Sequence, residues 1–186
     1  MMLQERKSWA IKDTALLEEL GALLDLNDQD KLLLEKLGSH TEHIAPQMVE
    51  TFYQRLFAHP ATAEYLQGVT MERLHSMTSE WFMDLFRGPH DNDYVQRRIA
   101  IGHIHVRIGL PIRYPLAMLD VILQFGAQIT QHSEHPEAAL RAFQKLVALD
   151  IAIFNQAYED HQLRHLTHLV GNERLARRLL MKEQQT

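Results

Sequence analysis

The chain has 186 residues, a formal net charge of -5 and no cysteine, and 46% of its residues are hydrophobic. This length suits one well-buried domain, and the absence of cysteine excludes disulfides, thiolate nucleophiles, iron–sulfur clusters and covalent c-type haem attachment. The mixed charge gives no basic surface for nucleic acid, and no apolar run predicts a transmembrane helix. Because the charged N-terminal residues also lack the apolar region of a signal peptide, we expect a cytoplasmic protein.

Apolar residues recur at helical spacing along nearly the whole chain, which predicts an all-α fold. The expected helices span about residues 13–25, 28–37, 42–59, 60–68, 70–87, 92–109, 111–132 and 136–181. The last of these would exceed about 40 residues, although a usual helix has about 11–12. Only Gly171 and Asn172 weaken its pattern. We expect so long a helix to pair with a second copy of the chain or to lead to another domain.

The segment IGHIHVRIGLP, residues 101–111, carries two histidines in a mostly apolar helix. His103 and His105 are two residues apart and therefore lie about 200° apart around the helix, so they cannot bind one metal from one face. His105 shares its face with Ile101 and Ile108 and is the more apolar of the two positions. The spacing alone favours a core histidine bonded to a backbone carbonyl, with a ligand-binding histidine as the alternative.

Two further helices present broad apolar faces. The face within residues 49–57 includes the hydroxyl of Tyr53, and a buried tyrosine hydroxyl needs a partner, which is either a backbone carbonyl or a bound ligand. The face within residues 71–87 has no ionisable group and is by itself typical of a protein core. Together these two faces include Val49, Phe52, Tyr53, Leu74, Met77, Thr78 and Trp81.

Two other patterns bear on function. His161, His165 and His168 share one helix face, where a pair of them could bind zinc or nickel, but the spacing favours a solvated or dimer-facing stripe. The chain has no P-loop and no GxGxxG, HExxH or GxSxG motif, so we expect no enzymatic activity of these residues themselves.

Three segments resemble the globin domain of globin-coupled sensors. GHIHVRIGLP is similar to the proximal helix of that family, FYQRL to its distal B helix and ERLHSMTSEW to its E helix. The resemblance implies that His105 is the axial haem ligand and that Tyr53 faces the bound gas. Leu74 and Trp81 match the family's distal leucine and the tryptophan seven residues after it. Order and spacing agree over about residues 10–160.

What the resemblance implies is a globin fold with an extra N-terminal helix, no D helix and a long C-terminal helix. A sensor domain would cover residues 1–160, and residues 161–186 would lead to an output domain or a partner. The implied cofactor is haem b, with O2, CO and NO as gas ligands. The helices at residues 111–132 and 136–181 would form the bundle of a homodimer. A diguanylate cyclase is the output we expect first, and a histidine kinase or a chemoreceptor domain would also suit the family.

On the same basis, the predicted haem pocket comprises His105, Tyr53, Leu74, Phe52, Val49, Met77, Thr78, Trp81, Ile101, Ile108 and Tyr114. Tyr114 lies where some family members carry a tryptophan or tyrosine pair, a pattern that this chain does not reproduce. We interpret Gly102 and Gly109, one turn on either side of His105, as room for the porphyrin rather than as helix breakers. Arg97, Arg98 and His75 are candidates for contacts with the haem propionates.

Two other functions stay open on the sequence. A haem-free helical dimerisation module would explain the long terminal helix equally well. A globin enzyme such as a nitric-oxide dioxygenase would need a reductase partner or an acid–base residue beside the distal site, and Tyr53 and Leu74 offer little such chemistry.

Overall fold

The computed structural model describes residues 14–181, which form helices joined by short connections and contain no strand. The predicted all-α class is confirmed. The first 13 and last five residues, which fall within the two predicted domains, lie outside the described part of the chain. The helices are α1 (Thr14–Leu23), α2 (Asp28–Glu35), α3 (Gly38–Phe57), α4 (Pro60–Ala63) with a 3-10 turn (Glu64–Leu66), α5 (Met71–Asp84), α6 (Asn92–Arg107), α7 (Arg113–Thr130), α8 (Pro136–Val170) and α9 (Glu173–Met181).

Polar side chains start several helices where the sequence predicts. Asn27 accepts hydrogen bonds from the amides of residues 29 and 30 and forms a capping box with Asp30 at the start of α2. Thr70 caps α5, and Asp91 caps α6. α3 begins at Gly38, about four residues earlier than expected, so only two residues separate it from α2.

The long helix α8 lies at the centre of the fold and contacts α2, α6, α7 and α9. Its buried face carries Phe143, Leu146, Leu149, Ile153 and Ala157. These side chains belong to one core with large buried residues elsewhere in the chain, among them Leu34, Met48, Phe82, Phe86 and Ile122. The apolar core therefore surrounds α8, and α5 and α6 pass on the side where the cavity lies.

The interpretation of the two glycines as room for a porphyrin is wrong. A Cβ atom on Gly102 would stand 2.5 Å from the Cβ of Ala157 and 3.1 Å from the carbonyl oxygen of Phe154, so this glycine permits α6 to touch α8. Gly109 has a φ of 72° and ends α6 in a Schellman turn, in which the amide of Leu110 donates to the carbonyl of His105 at 3.0 Å. One glycine therefore serves helix packing, and the other ends the helix.

The prediction of one continuous helix from residue 136 to residue 181 is also wrong. Gly171 adopts a φ of 70°, and the chain then turns into α9. Asn172 starts α9, because its side chain accepts a hydrogen bond from the amide of Leu175 at 2.9 Å. α9 contacts α8, and Ala176 is fully buried. The terminal segment is therefore two helices rather than one straight rod.

Between residues 14 and 181, no helix combines the length and the apolarity that crossing a membrane requires.

Candidate functional site

A cavity of about 610 Å³ lies between α5 and α6, and residues of α3, α7 and α8 complete its walls. Its volume falls in the range of about 300–1,000 Å³ that is typical of small-molecule and cofactor sites, and most of its lining is apolar. The predicted pocket residues that line it are Phe52, Tyr53, Leu74, Met77, Thr78, Trp81, Ile101, His105, Ile108 and Tyr114. Val49 does not line the cavity and is buried in the core instead.

His105 lies in the last turn of α6, and its ring lines the cavity. Its Nδ1 is 2.8 Å from the carbonyl oxygen of Ile101, so this nitrogen must carry the proton and donate. Burial lowers the pKa of His105 below its ordinary value, although the bond to Ile101 opposes that effect. The edge of the ring also contacts Phe154 of α8, with centroids 5.2 Å apart. The result is a neutral, oriented imidazole whose Nε2 keeps its lone pair for a ligand on the side away from the helix backbone.

Tyr53 extends from α3 to the α5 wall of the cavity. Its hydroxyl lies 2.7 Å from Oγ1 of Thr78 and 3.2 Å from the carbonyl oxygen of Leu74. Burial raises the pKa of Tyr53, and the hydrogen bond with Thr78 partly offsets this rise. The Tyr53 hydroxyl donates to the Leu74 carbonyl, and either hydroxyl can be the donor in the bond between Tyr53 and Thr78.

A buried polar cluster in one wall of the cavity was not predicted from the sequence. The carboxylate of Asp150 on α8 accepts hydrogen bonds from the indole of Trp81 at 3.0 Å, from the hydroxyl of Tyr94 at 2.6 Å and from the guanidinium of Arg98 at 2.5 Å. Arg98 also donates to Asp84 at 3.3 Å. Burial raises the pKa of Tyr94 well above its ordinary value, and Asp150 adds to that rise. The cluster joins α5, α6 and α8 around one wall of the cavity.

None of the three candidates for propionate contacts lines the cavity. Arg98 is only 2% exposed and is held by the carboxylate cluster. Burial alone would lower the pKa of Arg98, but the neighbouring Asp150 raises it above the ordinary value. Arg97 is paired with Asp84 at 3.3 Å, and His75 stacks on the ring of Tyr53 with centroids 5.4 Å apart.

The histidine stripe on α8 remains on the surface. The rings of His161 and His165 are parallel, with centroids 6.5 Å apart, and both residues are exposed, as is His168. Within the described residues, no group of three or more histidine, cysteine, aspartate or glutamate side chains is placed to hold a metal ion.

The sequence profile of the Protoglobin family matches residues 13–164, which is most of the chain. The chain belongs to the protoglobin family. In this protoglobin the match includes both the α3–α5 wall of the cavity and the helix that carries His105.

The solved structures agree with this assignment. The globin domain of the Geobacter sulfurreducens globin-coupled sensor is 30% identical to the protoglobin described here, with a TM-score of 0.71 over 76% of this chain and 97% of that chain. The globin domain of E. coli DosC, in its ferric and ferrous forms, shows the same fold at 18% identity and a TM-score of 0.59. The predicted globin fold of the sensor type is therefore confirmed.

Among curated proteins, the heme-based aerotactic transducer HemAT of Halobacterium salinarum is 26% identical over 140 residues. The match covers 67% of this chain but only 29% of that protein, so the chain spans less than a third of its relative's length.

Haem b is the cofactor of this globin family, and the cavity suits it. The lining offers a mostly apolar slot between two helices for a flat macrocycle. The oriented imidazole of His105 supplies one nitrogen donor, which is the usual proximal ligand of a globin haem.

Proposed function

We propose that this protoglobin is a haem-based oxygen sensor domain, with His105 as the proximal ligand and Tyr53 as the distal hydrogen-bond donor. The observation that supports this proposal best is that one cavity is lined both by an imidazole and by a pair of hydroxyl groups. α6 presents a neutral imidazole with Nε2 free, and α3 and α5 present the hydroxyls of Tyr53 and Thr78. A neutral diatomic gas needs no charged partner, so α3 and α5 need supply no ionisable side chain besides Tyr53.

When bound, haem supplies an iron with one open coordination position for O2, CO or NO. The protein's own side chains then decide between these gases. Tyr53 donates a hydrogen bond to a ligand that carries partial negative charge, which favours O2 over CO, and Thr78 holds the tyrosine hydroxyl in place. Leu74 and Phe52 line the same space and exclude water from it.

Signalling requires an element with two arrangements that both the gas and the output can bias. We place it in a homodimer bundle of α7 and α8. The support is that the ring of His105 contacts Phe154 of α8 and that the hydroxyl of Tyr158, one turn further along α8, donates to the carbonyl of Leu110 at 3.0 Å. A shift of the proximal helix would therefore reach α8 directly. A cytoplasmic diguanylate cyclase is the output we propose.

The ligand assignment is tested by replacing His105 with glycine, with His103→Gly as the matched control. Both variants carry the same helix cost, but His103 is outside the cavity lining and contacts Arg164 instead. After reconstitution with haemin, His105→Gly should show an altered Soret band that added imidazole restores, because free imidazole can fill the vacated volume. His103→Gly should keep the wild-type spectrum. A wild-type spectrum in His105→Gly without imidazole would remove His105 from its role.

A further inference from the structure

Two arginines stand out in the lining of the cavity. Arg73 lies in the first turn of α5 and Arg107 is the last residue of α6, so each wall of the slot contributes one guanidinium. Both residues line the cavity and are exposed, and an arginine in such a position covers apolar surface with its aliphatic stem while its charged end stays in water. Within the described residues, no other arginine and no lysine lines the cavity.

Neither guanidinium has an anionic partner among residues 14–181. Several other arginines do have one, as in the pairs Arg55–Asp120, Arg87–Glu42, Arg97–Asp84 and Arg98–Asp150. The one carboxylate in the lining, that of Asp150, is bound by Arg98 at 2.5 Å. The mouth of the slot therefore carries two uncompensated positive charges in front of an apolar interior.

We propose that Arg73 and Arg107 bind the two propionate carboxylates of the haem. This inference rests on the proposed function, since it names how the same cavity holds its cofactor. A planar macrocycle enters an apolar slot readily, but carboxylates are costly to bury and stay at the mouth. A guanidinium matches a carboxylate with two parallel hydrogen bonds. One arginine from each wall would also fix which edge of the macrocycle faces outward, and hence how its centre meets His105.

The test compares haemin with haemin dimethyl ester, whose propionates carry no charge, on the wild-type chain and on the double variant Arg73→Gln/Arg107→Gln. Arg97→Gln is the matched control, because Arg97 is a surface arginine on the same helix as Arg107 but does not line the cavity. Binding is followed by quenching of the tryptophan fluorescence, to which Trp81 in the cavity lining contributes, and dissociation by transfer of the porphyrin to an excess of apomyoglobin.

The wild-type chain and Arg97→Gln should release haemin roughly tenfold more slowly than the ester, which corresponds to two partly exposed ion pairs. The double variant should release haemin at the rate of the ester and should leave the ester's own rate unchanged. If the preference for haemin persists in the double variant, or is absent from the wild-type chain, the inference is wrong and haem binding itself still stands. If the wild-type chain binds neither compound, the proposed function fails as well.

Discussion

The proposed function assigns the chemistry of the cavity to two of its lining side chains, His105 and Tyr53. His105 is neutral and oriented, because its Nδ1–H donates a hydrogen bond to the carbonyl oxygen of Ile101 and burial disfavours a second proton on the ring. Tyr53 is un-ionised for the same reason and keeps its proton for hydrogen bonding. In the proposed function, His105 supplies the nitrogen that binds the iron and Tyr53 supplies the hydroxyl that meets the bound gas.

The role of Tyr53 is tested by Tyr53→Phe, which removes the hydroxyl and retains the ring. We expect the O2 dissociation rate to rise about fivefold to tenfold, since a hydrogen bond contributes on the order of 1 kcal/mol. The CO dissociation rate, measured on the same sample by flash photolysis or ligand replacement, should change much less and serves as the internal control. Equal changes for both gases would indicate a steric effect and not a lost hydrogen bond.

We predict that buried His90 makes the free energy of unfolding depend on pH. It is 3% exposed, its Nε2 donates to the carbonyl of Asp84, and its Nδ1 has no partner. Burial lowers its pKa below the ordinary value of 6.5, and the nearby charges of Lys31 and Arg98 lower it further, against the opposing bond to Asp84. As the pH falls, His90 therefore takes up a proton in the unfolded chain before it does so in the folded chain. The stability contributed by neutral His90 is lost as the pH falls below about 6.5.

The measurement is urea unfolding of the haem-free protein between pH 7.5 and pH 5. His90→Gln should flatten the pH dependence over this range, because glutamine retains a donor and does not titrate. The difference in slope between the two proteins cannot exceed about 1.4 kcal/mol per pH unit, the value for one proton. Parallel curves for the two proteins would show that His90 does not titrate on unfolding.

At the level of single residues, the sequence predicts well which side chains line the cavity, although their contacts with a haem stay a prediction. Ten of the eleven predicted pocket residues line the cavity. The exception, Val49, lies on the same apolar side of α3 but is buried in the core. Asp150 could not be found this way, because its partners Trp81 and Arg98 are more than 50 residues away in the chain.

Among the helices, the contact between α6 and α8 joins the cavity to the centre of the fold. It depends on Gly102, where any side chain would collide with α8. Gly102→Ala should lower the free energy of unfolding by about 1–3 kcal/mol through overpacking. Gly21→Ala in α1 is the matched control, because a Cβ there meets nothing within 4 Å and the change should stabilise by about 0.5–1 kcal/mol. Urea denaturation measures both, and equal signs for the two changes would contradict the packing role.

Helix starts with a polar cap were predictable, whereas the uncapped start of α3 and the break at Gly171 were not. Asn27, Thr70 and Asp91 cap helices by local hydrogen bonds, and residues of these types at such positions are recognisable in a sequence. The break at Gly171 was underestimated, because periodicity continues across it and the turn is stabilised by α9 packing back on α8. The packing role of Gly102 could not be predicted from nearby residues, because its neighbours Phe154 and Ala157 lie far along the chain, in α8.

For the whole molecule, the proposed dimer makes a specific prediction. Leu123 on α7 is 40% exposed and does not line the cavity, so Leu123→Glu should disrupt a bundle of α7 and α8 without altering haem binding. Leu32→Glu on α2, where the leucine is 56% exposed, is the control for the added charge. Sedimentation equilibrium should show a dimer for the wild-type chain and the control and a monomer for Leu123→Glu. A monomeric wild-type chain, or a dimer unaffected by Leu123→Glu, would contradict this arrangement.

The proposed sensor function depends on reversible gas binding at one haem between His105 and Tyr53. The most direct measurement is the absorption spectrum of the reduced, haem-loaded protein before oxygen is added, after it is added and after it is removed again. We expect the Soret and visible bands to shift on oxygenation and to return to the starting spectrum on removal. A spectrum that ignores oxygen, or that passes at once and irreversibly to the ferric form, would contradict an oxygen sensor.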